Sequence, residues 1–290
     1  MRAKKFTAAA LVAVFGCAAQ VATDQRPPDP PEIPDTVSVQ SNIPYDRYKE
    51  TVLDILQPKA AATGKRPGLI MIHGGGWVGG SKEQRVPSCL RYVERGFVVA
   101  NVEYRLAGVA TAPAAVTDVL KAAEWFRRNA KRYNVDPKRI VVTGDSAGGH
   151  LALMAGLTPK SARLGPPAKV RAVVNFYGIT DVADQLAGPH LRKYAVTWIP
   201  EQAGRMELAH RVSPMTYVRK DVPAVLTIHG DADPTVPYEH GVKLTKALRD
   251  AGADAEMISV RDGRHGFPKA QLDTLFPQIF EFLRNRGVIQ

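Results

Sequence analysis

Three side chains of the types needed for nucleophilic acyl chemistry occur in a telling order along the 290-residue chain. Ser146 sits in Gly144-Asp145-Ser146-Ala147-Gly148, at the end of the apolar run Ile140 to Val142. Asp231 and Asp233 follow the apolar run ending at His229, and His265 follows the run ending at Val260. A serine hydroxyl is a weak nucleophile until a base removes its proton. An imidazole that titrates near neutrality serves as that base, and a carboxylate fixes its tautomer and stabilises the imidazolium. The negative charge that develops on a substrate carbonyl oxygen needs donors as well. The glycines of His73-Gly74-Gly75-Gly76-Trp77 offer unencumbered backbone N–H groups, and Ala147 offers another beside Ser146. On its own Gly-x-Ser-x-Gly is a weak signal, and Ser146 could equally be a helix N-cap. The weight comes from where the partners lie.

The elements that must position these residues alternate. An opening antiparallel pair is expected over Thr36 to Ile43 and Glu50 to Ile55. The run Gly68 to His73 is apolar throughout, as befits a strand buried on both faces. Further strands are expected over Phe97 to Val102, Val170 to Phe176, Ala224 to His229 and Glu256 to Val260. Helices are expected over Lys82 to Arg95, with a start as late as Pro87 left open, and over Pro113 to Tyr133, Leu151 to Leu157, Tyr238 to Ala251 and Lys269 to Arg286. In the second of these, Val116, Val119, Leu120, Ala123 and Phe126 form one face. Strand-helix alternation implies a mostly parallel sheet covered on both faces, with ligands bound at the carboxyl ends of the strands. Ser146, the two aspartates and His265 all fall just past such ends, in the chain order Ser, Asp, His.

With 45% apolar residues the chain is long enough to bury one full core. Lys and Arg exceed Asp and Glu by 39 to 28, a net charge of +11, but the basic residues are spread along amphipathic helices. That dispersal argues against a nucleic-acid partner. His190, His210 and His240 lack metal-ligand spacing, and the tandem glycines do not form a phosphate loop, so neither a metal nor a cofactor is expected.

The first twenty residues combine a basic start (Arg2, Lys4, Lys5), an apolar stretch from Phe6 and small residues up to Ala19, the pattern of an export signal over residues 1–19. Val14-Phe15-Gly16-Cys17 also resembles a lipobox, which makes Cys17 a lipidation candidate, with Phe15 a poor fit. Cleavage near Ala19 and lipidation of Cys17 both stay open, and with them periplasmic, envelope-anchored and secreted locations. The only membrane association expected is through such an N-terminal lipid. Residues 20–36 hold five prolines and read as a tether, leaving 37–290 as the catalytic domain. Cys89 then has no internal partner and is expected to be a small buried residue on a helix.

In combination, His73 to Trp77, Tyr104-Arg105-Leu106, Gly144 to Gly149, His229-Gly230 with Asp233 and Val236-Pro237, and His265-Gly266-Phe267 resemble the α/β-hydrolase carboxylesterases related to hormone-sensitive lipase. Val78-Gly79-Gly80-Ser81-Lys82 and Gly149-His150-Leu151 are more similar to the bacterial branch of acetyl- and feruloyl-esterase-like and formamidase-like enzymes. The resemblance implies an α/β-hydrolase fold with a mostly parallel central sheet, helices on both faces and a short lid insertion over 181–220. It places nucleophile, acid and base on Ser146, Asp233 and His265, favouring Asp233 over Asp231, and oxyanion donors on Gly74 and Gly75, with Gly76 a third candidate. His73 is expected to order the glycine loop, and His150, one turn into the helix after Ser146, to be a core histidine. The spacer after Leu106 departs from the pattern common in relatives.

The expected substrate is a small-molecule or carbohydrate-linked ester, of a short-chain acyl or aryl kind or with acetyl or feruloyl groups on carbohydrate, cleaved through an acyl-enzyme on Ser146. Amide or peptide hydrolysis by the same residues is the alternative, and a non-catalytic binding protein of this fold the remote one. The section from Asp181 to Lys220 reads as irregular and is expected to govern substrate choice, with Trp77, Tyr194 and Trp198 lining the site.

Overall fold

The computed structural model describes residues 32–290, which form one compact unit. The export pattern and Cys17 lie outside the described residues. Eight strands make a single sheet: β1 (Val37–Pro44), β2 (Val52–Pro58), β3 (Arg66–Ile72), β4 (Val98–Val102), β5 (Val135–Asp145), β6 (Ala172–Phe176), β7 (Ala224–Gly230) and β8 (Ala255–Val260). Their order across the sheet is β1-β2-β4-β3-β5-β6-β7-β8. The first two junctions are antiparallel and all the others parallel.

The all-apolar stretch of β3 has the cause its composition implied. Ile70 and Ile72 enter the core on one face of the sheet and Leu69 and Met71 the core on the other, every one of them buried. The first face is covered by α2 (Ala114–Arg128), α3 (Ala147–Leu157) and α6 (Glu239–Asp250), through side chains such as Val116, Leu151 and Leu244. The second is covered by α1 (Val86–Val93) and α7 (Lys269–Asn285), through Cys89, Ile279 and Leu283. Complete burial pushes the Cys89 thiol well up, so it packs as an apolar group.

One helix starts at the later of its two expected points and another ends sooner than its periodicity suggests. The helix expected from Lys82 opens as a 3-10 turn, Lys82–Arg85, and becomes α-helical only at Val86, where Pro87 lies in the first turn and its missing N–H costs nothing. The helix expected to reach Tyr133 stops at Arg128. Asn129 caps it, its side-chain amide donating to the Trp125 carbonyl at 2.9 Å.

The section from Asp181 to Lys220 is not irregular. It contains α4 (Lys193–Trp198), α5 (Arg205–Arg211) and several 3-10 turns. Six- and seven-residue helices are too short to show a periodic signal in sequence. Among the described residues no helix is long and apolar enough to cross a membrane.

Candidate active site

Parallel register aligns the carboxyl ends of the strands that carry the chemistry. Ile72 of β3 pairs with Gly144 of β5, Asp145 with Phe176 of β6, and Gly230 of β7 with Val260 of β8. Just beyond β5 the chain turns from strand to helix at Ser146, which has φ +54 and ψ −121, outside the regions a side-chain-bearing residue ordinarily occupies. Two hydrogen bonds pin this turn: Ser146 N–H donates to Phe176 O at 2.9 Å, and His150 N–H donates to Ser146 O at 2.9 Å. The flanking glycines are dictated by backbone crowding. A Cβ on Gly144 would strike the Gly148 carbonyl, and one on Gly148 would strike the carbonyl oxygen of Ile72.

Ser146 Oγ lies 2.9 Å from His265 Nε2, and His265 Nδ1 lies 2.7 Å from Asp233 Oδ2. A ring nitrogen facing a carboxylate carries the proton, so Nε2 is the free acceptor aimed at the serine hydroxyl. The Asp233 side chain is fully buried, and its Oδ1 accepts from the N–H groups of Thr235 at 2.8 Å and Val236 at 3.0 Å. Burial by itself would raise this carboxyl, but hydrogen bonds from His229, His265 and the Thr235 backbone hold it far below the usual carboxylate range. His229 Nε2 stands 3.4 Å from the same Asp233 Oδ2. Asp231 is instead a turn carboxylate that accepts from Asp262 N–H at 2.7 Å and makes no contact with the imidazole. Tyr177, left-handed at φ +39, packs its ring 4.8 Å from that of His265.

The glycine loop follows β3. Gly75, with φ +109, receives hydrogen bonds from Val78 N–H and Gly79 N–H on its carbonyl, closing a tight turn. The N–H groups of Gly75 and Gly76 meet no acceptor among the described residues, and that of Ala147 belongs to the free first turn of α3. Gly75 and Gly76 border the cavity beside Ser146, whereas Gly74 does not. Gly74 is packed against Asp145, and its carbonyl accepts from His73 Nδ1 at 2.8 Å. Of the expected donors Gly74 and Gly75 and the third candidate Gly76, it is Gly75 and Gly76 that border the cavity. His73 braces the loop from behind, its Nε2 2.9 Å from Glu103 and its ring stacked on Tyr104 at 4.3 Å.

Around Ser146 and His265 lies a cavity of about 530 Å³. Of the three aromatic residues expected to line it, only Tyr194 does, its hydroxyl donating to Gln185 at 2.9 Å. Trp77 and Trp198 are fully buried and stack on each other at 4.2 Å behind the wall. Trp77 donates from Nε1 to His150 Nδ1 at 3.1 Å. The section 181–220 therefore contributes little to the cavity, contrary to expectation. The rest of its wall comes from Arg85, the last residue of the 3-10 turn before α1, from Ser88 and Tyr92 of α1, and from Leu272 and Phe276 of α7. Sequence reading passed over all five. The signal for the α1 residues was their helical spacing, and the α7 residues are placed only by packing. Asp145, beside the serine, is held by Arg85 Nη1 at 2.9 Å. Among the described residues no cluster of three or more His, Cys, Asp or Glu side chains is placed to hold a metal.

Comparison with known proteins follows the same lines. Residues 53–248, more than half of the chain, match the family model described as BD-FAE. Esterase LipQ of Mycobacterium tuberculosis is 34% identical over 244 residues, covering 79% of this chain and 58% of LipQ. The chain thus spans little more than half the length of the curated relatives it matches. A truncated carbohydrate esterase from gut microbiota superposes with a TM-score of 0.77 at 31% identity, over 87% of this chain and 97% of that one. Thermogutta terrifontis esterase 2 phosphonylated by sarin superposes with a TM-score of 0.75 at 25% identity, over 90% and 98% of the two chains. With its eight-stranded sheet and a family match over most of its length, the chain belongs to the BD-FAE family of α/β-hydrolases.

Proposed function

We propose that the chain is a carboxylic ester hydrolase that works through an acyl-enzyme on Ser146. The observation that carries this reading is the continuous line of hydrogen bonds from Asp233 through His265 to Ser146, at 2.7 and 2.9 Å, on a cavity edged by the free N–H groups of Gly75 and Gly76. In the first half-reaction Ser146 Oγ attacks the ester carbonyl carbon while its proton passes to His265 Nε2. The carbonyl oxygen, now negative, is held by the N–H groups of Gly75, Gly76 and Ala147, donors worth roughly 3 kcal/mol each in sites of this kind. The tetrahedral adduct collapses, His265 returns the proton to the leaving alkoxide, and an alcohol departs. Water then takes the place of Ser146 as nucleophile, gives its proton to His265, and releases the acid and the free serine. Throughout, Asp233 stays ionised and keeps the His265 proton on Nδ1.

The relatives support the ester as the bond concerned: a carbohydrate esterase and a curated esterase stand among them. The substrate class we propose is a small-molecule or carbohydrate-linked ester. The test is Ser146→Ala with 4-nitrophenyl acetate as substrate. Turnover is expected to fall by at least about 10³-fold, and a fluorophosphonate probe is expected to label the wild type at Ser146 and leave the variant unlabelled. Retained turnover, or labelling elsewhere, refutes the assignment.

A further inference from the structure

The basic residues are dispersed in sequence, but folding gathers several of them in one place. A groove of about 1070 Å³, roughly twice the volume of the cavity beside Ser146, opens at the amino ends of β5, β6 and β7. It takes Pro137 and Lys138 from the opening residues of β5, Val170 and Arg171 from just before β6, and Ala224 from the start of β7. Ser146 follows the carboxyl end of β5, so the two cavities lie at opposite ends of the sheet.

Seven cationic side chains line this groove against two carboxylates. Of the carboxylates, Asp254 is already paired with Arg286, and Asp221 is exposed. Arg127, Lys138, Lys160, Lys169 and Arg171 meet no carboxylate among the described residues. Like charges crowded around a concave surface repel one another and focus a positive potential into it. Two of the guanidinium groups are also fixed in place: Arg171 Nε donates to Arg286 O at 2.9 Å, and Arg219 Nη1 donates to Tyr217 O at 3.0 Å. Backbone carbonyls hold these groups without neutralising them, which orients their other N–H groups in advance for an anion. Thr158, 4% exposed and first past the end of α3, lines the same groove with a hydroxyl that has no hydrogen-bond partner. A buried hydroxyl left unpaired is uncommon, and an oxygen arriving with a ligand would complete it.

The chemistry of the lining narrows the ligand. No aromatic ring is among the lining residues, so neither a nucleobase nor a sugar face has a platform to stack on. A phosphate presents three acceptor oxygens to donors that converge from several segments, which suits this groove better than a planar carboxylate does. We propose that the groove is a binding site for a non-aromatic ligand carrying two or more phosphate groups, with Lys160, Lys169 and Arg171 as charge partners and the Thr158 hydroxyl completing the seat. A soluble polyphosphorylated molecule and the headgroup of a bis-phosphate lipid share this chemistry. The site stands apart from Ser146 and does not rest on the acyl-enzyme reading.

The probe is inorganic tripolyphosphate, titrated calorimetrically into the full chain at physiological ionic strength, where diffuse attraction is screened beyond about 8 Å. One-to-one binding is expected, with a dissociation constant below about 100 μM. Lys160→Ala combined with Lys169→Ala, both exposed positions, is expected to weaken it about five- to tenfold. Thr158→Val keeps the shape of the side chain and is expected to weaken it about threefold. Lys243→Ala combined with Lys246→Ala removes the same charge from the exposed face of α6 and is expected to change the affinity by less than about twofold. Sedimentation with vesicles of phosphatidylcholine holding about one cardiolipin in ten lipids separates the two sources. Cosedimentation that is lost in the Lys160 and Lys169 variant assigns the site to a lipid headgroup, and tripolyphosphate binding without cosedimentation assigns it to a soluble phosphate. A wild type that does not bind tripolyphosphate overturns the site. So does an equal loss in the two lysine pairs, which reduces the groove to bulk charge, and so does an affinity that Thr158→Val leaves unchanged.

Discussion

His150 ties the stability of the molecule to pH in a way that can be worked out from its surroundings. It lies one turn into α3, fully buried, with Trp77 Nε1 donating to its Nδ1 at 3.1 Å and its Nε2 at 2.7 Å from Val212 O. A nitrogen facing a carbonyl must donate and one facing an indole N–H must accept, so the ring is the neutral tautomer protonated at Nε2. A second proton would have to enter at Nδ1, against the Trp77 N–H. Burial dominates and pushes the imidazole down to about 4, against a smaller upward pull from the Val212 carbonyl. The unfolded chain takes up this proton around the ordinary value of 6.5, so between 6.5 and about 4 the unfolded state binds more protons than the folded one. Stability from this residue is therefore complete above 6.5, declines as the pH falls through that window, and is down by about 3 kcal/mol below it. Urea unfolding of the wild type and of His150→Gln, whose side chain has one acceptor and one donor but no titration, should show the difference. The variant is expected to be weaker at neutral pH and to lose about 3 kcal/mol less than the wild type on going from pH 7 to 4. Parallel pH profiles for the two proteins, or an NMR titration of His150 near 6.5, would refute the reasoning.

The remaining expectations concern the elbow, the acid and the N-terminus. Asp233→Asn removes the carboxylate that keeps the His265 proton on Nδ1, and is expected to lower kcat on 4-nitrophenyl acetate by about 10³- to 10⁴-fold with an unchanged circular dichroism spectrum; a loss under tenfold would free Asp233 of its role. Gly148→Ala drives a methyl group into the carbonyls of Ile72 and His73, and a loss of at least about 2 kcal/mol in urea unfolding is expected, together with loss of turnover. A variant as stable as the wild type would show that β3 and α3 can move apart. For the N-terminal pattern, intact mass of the protein recovered from its native cells is expected to begin near residue 17 or 20, with an added diacylglycerol mass in the first case; a full-length mass refutes export by this signal.

How much was legible in sequence follows from what each feature depends on. The strands and the elbow are local. Gly144, Ser146 and Gly148 belong to a turn whose crowding involves only β3, β5 and α3, and each of those elements carries its own pattern of apolar residues. The identity of the acid depended on more than spacing, because Asp231 and Asp233 both follow β7, and only the fold shows that one meets His265 and the other an exposed turn. The glycines were no easier to tell apart, for a similar reason. Three consecutive glycines look alike on paper, and the loop with its turn closed on the Gly75 carbonyl leaves Gly75 and Gly76, not Gly74, at the cavity.

The cavity was the part least open to sequence, and the reason bears on how its selectivity should be sought. Trp77 and Trp198 were read as lining because large aromatic residues near a serine can serve either side of a wall, and composition does not say which. They became core by stacking on each other and on the His150 side of α3. The actual wall is built by contact between α1 and α7, elements far apart in the chain that Tyr92 and Phe276 bring together at 5.5 Å and Arg91 and Asp273 tie at 2.7 Å. The cavity wall is thereby built less by the insertion at 181–220, which supplies Tyr194, than by the two helices on the opposite face of the sheet. Substitutions in α1 and α7 should accordingly change which acyl groups are accepted. Those in α4 and α5 should act chiefly through the packing beneath Trp77 and through Arg192, which reaches from the insertion to the carbonyls of Pro234 and Thr235 at 3.0 and 2.9 Å and so steadies the loop that carries Asp233.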